Sequence, residues 1–172
     1  MIISETDTAT AIPSHRPTVS HILGEMTWLL SQSPLHRALA IGDLEWLVMP
    51  ALLTEQFYLF REGDRPIGLA LWAHCGPAAE QKLVSGMIEA ENRLTLEEWN
   101  SGQQTWLVDL IAPFATAENR QRELMFADLI SGPLRGKAFC FHQTNPATGV
   151  RMVQQVSADA GERLKKAVEG GL

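Results

Sequence analysis

Residues Trp106 to Phe114 read Trp-Leu-Val-Asp-Leu-Ile-Ala-Pro-Phe, an apolar strand interrupted by one carboxylate. No other stretch restricts the fold as much. Side chains alternate along a strand, so Trp106, Val108 and Leu110 are expected on one face and Leu107, Asp109 and Ile111 on the other. Both faces are apolar, which asks for cover on both sides. A buried carboxylate left unpaired is costly, so Asp109 needs a charged or hydrogen-bonding partner, or must hold its proton.

The best candidate partner lies far upstream, in Ser31-Gln32-Ser33-Pro34-Leu35-His36-Arg37. Imidazole titrates near neutral pH, and an Asp that accepts its ring N–H fixes both tautomer and orientation. His36 and Asp109 together would make a general base with its orienter. Taken alone, His36 also suits a capping role, Asp109 an ion pair with Arg37, and Ser33 a hydrogen bond at a helix C-terminus.

The rest of the chain gives these segments a setting. Ile22, Leu23, Met26, Leu29 and Leu30 recur at helical spacing, and Ser33-Pro34 ends that helix because a residue before proline avoids the helical region. A second helix runs from a cap at Asp43 to about residue 53, kinked or cut short by Pro50. Segments 56–62 and 67–74 form a hairpin around Gly63-Asp64, followed by a helix over 77–89 and a polar stretch with a turn near Trp99. Beyond the central strand comes a helix over 118–130, capped by Thr116 or Asn119 and burying Leu124, Phe126, Leu129 and Ile130. Short strands over 137–142 and 149–156 flank a turn at Asn145-Pro146, and a basic amphipathic segment over 158–168 ends in Gly170-Gly171. Residues 1–18 read as a flexible lead-in and 19–172 as one domain of mixed α/β (α+β) class.

Composition excludes several function classes. A net charge of −6 argues against nucleic acid as a main partner. Arg120, Arg122, Arg135, Lys137 and Arg151 are nevertheless concentrated late in the chain, where they form a candidate patch for an acidic protein. Two cysteines, Cys75 and Cys140, cannot build a disulfide framework and read as buried thiols of a reducing compartment. No apolar run is long enough to span a membrane, and no signal-peptide layout is present at the N-terminus, so a cytoplasmic location is expected. His74-Cys75 and Cys140-Phe141-His142 match no common zinc spacing, and no metal is expected.

Four blocks of sequence carry a resemblance. They are Gly24-Glu25-Met26-Thr27-Trp28-Leu29-Leu30 leading into Ser33-Pro34-Leu35-His36-Arg37, then Pro66-Ile67-Gly68-Leu69-Ala70-Leu71-Trp72-Ala73, Trp99-Asn100-Ser101-Gly102, and Asp109-Leu110-Ile111-Ala112-Pro113-Phe114. In this order they resemble the RTX toxin-activating lysine acyltransferases, the hemolysin-activating type. The resemblance implies a GNAT-like acyltransferase fold, a mixed central sheet with helices on both faces. It also implies transfer of a fatty acyl group from acyl carrier protein to an internal lysine of an RTX-type protoxin. His36, Asp109 and Ser33 take the catalytic positions, and Arg37, Trp99 and Phe114 are assigned to substrate binding. Trp28, Trp72, Trp99 and Trp106 read mostly as core, and Trp99, in its polar stretch, is the first candidate among them to line an acyl groove.

The donor would be the phosphopantetheine thioester of the carrier, with no permanently bound cofactor. Where GNAT enzymes place a Gly-rich loop for the coenzyme A diphosphate, this chain has Ala112-Pro113-Phe114-Ala115-Thr116-Ala117-Glu118-Asn119 without glycine, which disfavours a coenzyme A enzyme. Leu110 stands where the family usually has Trp, a change expected to act on acyl length or protein substrate. A homodimer is a candidate assembly. The competing reading is a catalytically idle member that binds an acyl chain or chaperones its partner.

Overall fold

The computed structural model describes residues 17–87, 89–145 and 147–169, apart from the side chain of Val168. Expectations for residues 1–16, Pro146 and Gly170-Gly171 lie outside the described residues. Helix α1, Val19–Gln32, is capped by the Thr18 hydroxyl, which accepts the His21 N–H, and it buries Met26, Leu29 and Leu30. The expected second helix is broken in two. A 3-10 turn, Ile41–Asp43, leads into α2, Leu44–Leu47, and α3, Met49–Leu53, follows after Val48. Pro50 sits in the first turn of α3, where its missing N–H is not needed. The Asp43 carboxylate caps neither piece of the second helix and instead accepts the Ala40 N–H and the Trp46 indole N–H.

Strands β1, Phe57–Glu62, and β2, Arg65–Cys75, make the expected hairpin, with Gly63 at a φ of 59° in its turn. Helix α4, Pro77–Ser85, is shorter than the sequence suggests, because Gly86 at a φ of 96° ends it. Strand β3, Gln104–Ile111, follows, then α5, Gln121–Ser131, β4, Phe139–Thr144, β5, Arg151–Val156, and α6, Ala160–Glu169. The strands order β1-β2-β3-β4-β5; β3 and β4 are parallel and all other pairs antiparallel.

Helices cover both faces, as the GNAT-like architecture requires. Helices α1 to α4 pack with Leu69, Leu71, Ala73, Trp106 and Ile111, and α5 packs on the other face with Ala70, Trp72, Leu107 and Phe139. Gly68 lets α5 come close, since a Cβ there would lie 2.5 Å from the Met125 terminal methyl. Helix α5 starts after the expected caps, which are spent on the loop: Asn119 accepts from the Thr116 and Gln121 N–H groups and donates to the Phe114 carbonyl. Its buried face is Met125 and Leu129, whereas Leu124, expected inside, is 65% exposed.

Candidate active site

The strict alternation expected for the central strand fails at one position, and the site depends on that failure. Leu107 pairs with Trp72 and Asp109 with the next residue, Leu71, so Val108 is an extra residue in β3. Such a bulge shifts the facing of every later residue. Asp109 therefore sits opposite Leu71, on the face toward α1, instead of beside Leu107 under α5. The same shift sends Leu110 to the α5 side and returns Ile111 to the α1 side.

Asp109 meets the loop that leaves α1. Leu30 ends the helix by accepting the Ser33 N–H, and the Ser33 carbonyl accepts the His36 and Arg37 N–H groups, which turns the His36 ring back toward the sheet. Asp109 Oδ2 lies 2.7 Å from His36 Nε2, and Ser33 Oγ lies 2.7 Å from His36 Nδ1. A carboxylate only accepts, so Nε2–H donates to Asp109 and Nδ1 offers its lone pair to the Ser33 hydroxyl. The three residues form one directed chain of hydrogen bonds. Ser33 is 5% exposed, and the His36 and Asp109 side chains are 14% and 29% exposed, so the chain runs outward from Ser33 to Asp109.

The residues assigned to substrate binding divide. Arg37 is exposed beside His36 and, among the described residues, has no carboxylate partner. Phe114 is half-buried just beyond the end of β3, with its ring 5.8 Å from that of Trp28 and the Arg65 guanidinium 4.8 Å above it. Trp99 corrects the groove expectation: it is fully buried in the core among the α1-side residues, and its carbonyl accepts the His74 N–H. Trp28, read as core, is instead 39% exposed. Together with His21, Gly24, Glu25, Arg65 and Pro66 it lines a shallow groove of about 540 Å³. Trp28 lies off the apolar stripe of α1, on the row of His21, Gly24 and Glu25, so helical spacing held the signal that it faces outward.

The remaining polar candidates are structural. His74 Nδ1 is 3.0 Å from the Thr105 hydroxyl, His142 Nε2 donates to the Leu83 carbonyl, and Cys75 and Cys140 are buried and unpaired. On its β4 side, β3 is paired only from Thr105 to Leu107, which leaves the backbone around Asp109 without a strand partner there. Arg122 reaches this opening and donates to the Leu110 carbonyl at 3.2 Å.

Residues 15–157 match the sequence profile of the RTX toxin acyltransferase family. The chain is 36% identical over 98 residues to a leukotoxin-activating lysine-acyltransferase of a Pasteurella haemolytica-like species (strain 5943B), covering 57% of each chain. It is 30% identical over 162 residues to an RTX-III toxin-activating lysine-acyltransferase of Actinobacillus pleuropneumoniae, covering 86% of this chain and 91% of the relative. Against a protein-lysine myristoyltransferase of Escherichia coli it is 34% identical over 93 residues, 54% of this chain and 52% of the other. The matched segments thus span little more than half of the first and third relatives and nearly all of the second.

Proposed function

The chain belongs to the RTX toxin acyltransferase family, and from that premise we propose that it transfers a fatty acyl group from acyl carrier protein to the ε-amine of an internal lysine of an RTX-type protoxin, with His36 as general base. The two 2.7 Å hydrogen bonds that join Ser33, His36 and Asp109 carry this reading. Free lysine has a pKa near ~10.4, so only about one amine in 2,500 is neutral at pH 7. A proton acceptor at the point of attack is therefore worth having.

As the amine nitrogen bonds to the thioester carbonyl carbon, it becomes positively charged and must lose a proton. Ser33 Oγ takes that proton while passing its own to His36 Nδ1, and Asp109 stabilises the imidazolium through Nε2–H. The C–S bond of the tetrahedral intermediate then breaks. The imidazolium returns its proton by the same route to the departing thiolate, leaving an amide, a thiol and a neutral His36. The unpaired edge of β3 beside Asp109 offers backbone groups to the amides of the phosphopantetheine arm, as an added strand would be held.

The same chain of hydrogen bonds favours a second reading, in which Ser33 is a nucleophile and carries the acyl group. Both readings bring a reacting group to Ser33 Oγ, which is 5% exposed, and they differ in whether a proton or an acyl group passes to it. Incubation with acyl-loaded carrier protein and the candidate protoxin, followed by mass spectrometry, tests both. An acyl mass on a protoxin lysine that is lost in His36→Ala supports direct transfer. An acyl mass on Ser33 when the protoxin is omitted would replace it with the two-step route, and no transfer with any donor would favour the idle, binding-only member.

No described helix is long and apolar enough to cross a membrane. The two unpaired, buried cysteines support placing the protein in the cytoplasm, where acyl carrier protein is available. A homodimer remains part of this reading on the family resemblance, and sedimentation at micromolar concentration tests it.

A further inference from the structure

The chain has 14 Lys and Arg against 20 Asp and Glu, so carboxylates are in excess and most cations can find one. Away from the site they do: Arg61 pairs with Glu25, Lys82 with Glu98, Arg93 with Asp43, Arg135 with Glu162, Arg163 with Asp159 and Lys165 with Glu169. Around the site they do not. Among the described residues, Arg37, Arg65, Arg120 and Arg122 have no carboxylate partner. Each lies in or against the His36 loop or the segment that follows Asp109. Arg37 follows His36 directly, Arg65 lies over Phe114, Arg122 bonds the Leu110 carbonyl, and Arg120 adjoins Asn119, whose amide holds the Phe114 carbonyl. Glu118 and Glu123 flank the last two arginines without pairing to them.

The other unpaired cations among the described residues lie elsewhere. Lys137 is near His74, whose pKa is lowered first by burial and then by the Lys137 charge, at the far end of β2 from Arg65, and Arg151 is beside Gly86 at the end of α4. Lys166 lies on α6. The late-chain patch suggested by the sequence is thus split, with Arg135 neutralised by Glu162 and only Arg120 and Arg122 at the site. All four of these cations are guanidiniums, which bind phosphate oxygens and carboxylates in bidentate fashion.

We propose that Arg37, Arg65, Arg120 and Arg122 form the docking collar for the donor, receiving the acidic surface of acyl carrier protein and the single phosphate that joins it to its pantetheine arm. This inference rests on the acyl-transfer reading for the identity of the donor. It explains why an acidic enzyme can accept an acidic carrier: the net repulsion is overcome by a local field at the one place where the thioester must enter.

The test is fluorescence anisotropy with labelled, fatty-acyl-loaded acyl carrier protein, comparing the wild type with Arg120→Glu/Arg122→Glu, with Arg37→Glu alone, and with Lys137→Glu/Arg151→Glu as the control. Transfer is measured separately in the same samples. The collar predicts that binding weakens more than tenfold in the double variant and clearly in Arg37→Glu, that it is lost with rising salt, and that the control binds as the wild type does. Equal weakening in the control, no weakening in the collar variants, or a wild type that binds anionic phosphatidylserine vesicles but not the carrier would overturn it. A wild type that binds the carrier through the collar yet transfers nothing would refute the acyl-transfer reading and leave the collar standing.

Discussion

At the scale of single residues, the assignments follow from which lone pair or proton each atom has left. His36 has both ring nitrogens engaged, so its value as a base depends on the Ser33 hydroxyl being a relay rather than a competitor. His36→Ala should reduce acyl transfer by about 10²–10⁴ in kcat, with carrier affinity within twofold of the wild type. Asp109→Asn should cause a loss of similar order by stabilising the wrong tautomer, and a kcat within threefold of the wild type would remove Asp109 from the mechanism. Away from the site, burial pushes the Cys75 thiol up to about 12 and raises Cys140 in the same direction, so neither is a thiolate at pH 8. Folded protein should leave an aromatic disulfide reagent unreacted, and both thiols should titrate in denaturant. Rapid modification of Cys75 in the native state would contradict its place under α4.

At the scale of elements, one added residue lets Leu107 and Asp109 face opposite sides of the sheet. Deleting Val108 removes the bulge but leaves Leu107 opposite Trp72 and Asp109 opposite Leu71, each on its present face. We expect that deletion to keep Asp109 toward His36 and to retain measurable transfer. Loss of transfer at an unchanged Tm would mean that the bulge also sets where along the strand Asp109 meets His36. The α5–α6 contact makes a second demand. A Cβ on Gly161 would lie 2.5 Å from the Ile130 carbonyl oxygen, and backbone cannot give way as a side-chain tip can. Gly161→Ala should cost about 1–3 kcal/mol in urea unfolding while leaving kcat near the wild-type value, since α6 lies across α5 from the site.

For the whole molecule, carboxylates held below their ordinary range set the acid limit. A hydrogen bond from Lys82 lowers Glu98, one from Trp46 lowers Asp43, one from Ser157 lowers Asp159 and one from Arg135 lowers Glu162. A carboxyl lowered on folding contributes stability that is complete above its unfolded value, near ~4, and is lost as pH falls through its lower folded value. Tm should therefore be level above about pH 5 and fall below it, with a shallower fall in Glu98→Gln. An unchanged acid slope in that variant would show that Lys82 and Glu98 do not hold α4 to the segment before Trp99. What the sequence determined was local or repetitive: helix α1 and its end at Ser33-Pro34, the hairpin at Gly63-Asp64, the apolar central strand, and the need of Asp109 for a partner. Motif order was enough to propose His36 as the base. Tertiary structure alone decided the rest, because each of those features depends on residues distant in the chain. The bulge at Val108 exists only through pairing with β2, Trp99 is buried only where helices and strands of the α1 face pack together, and Arg37 lies 85 residues, about half the chain, before Arg122.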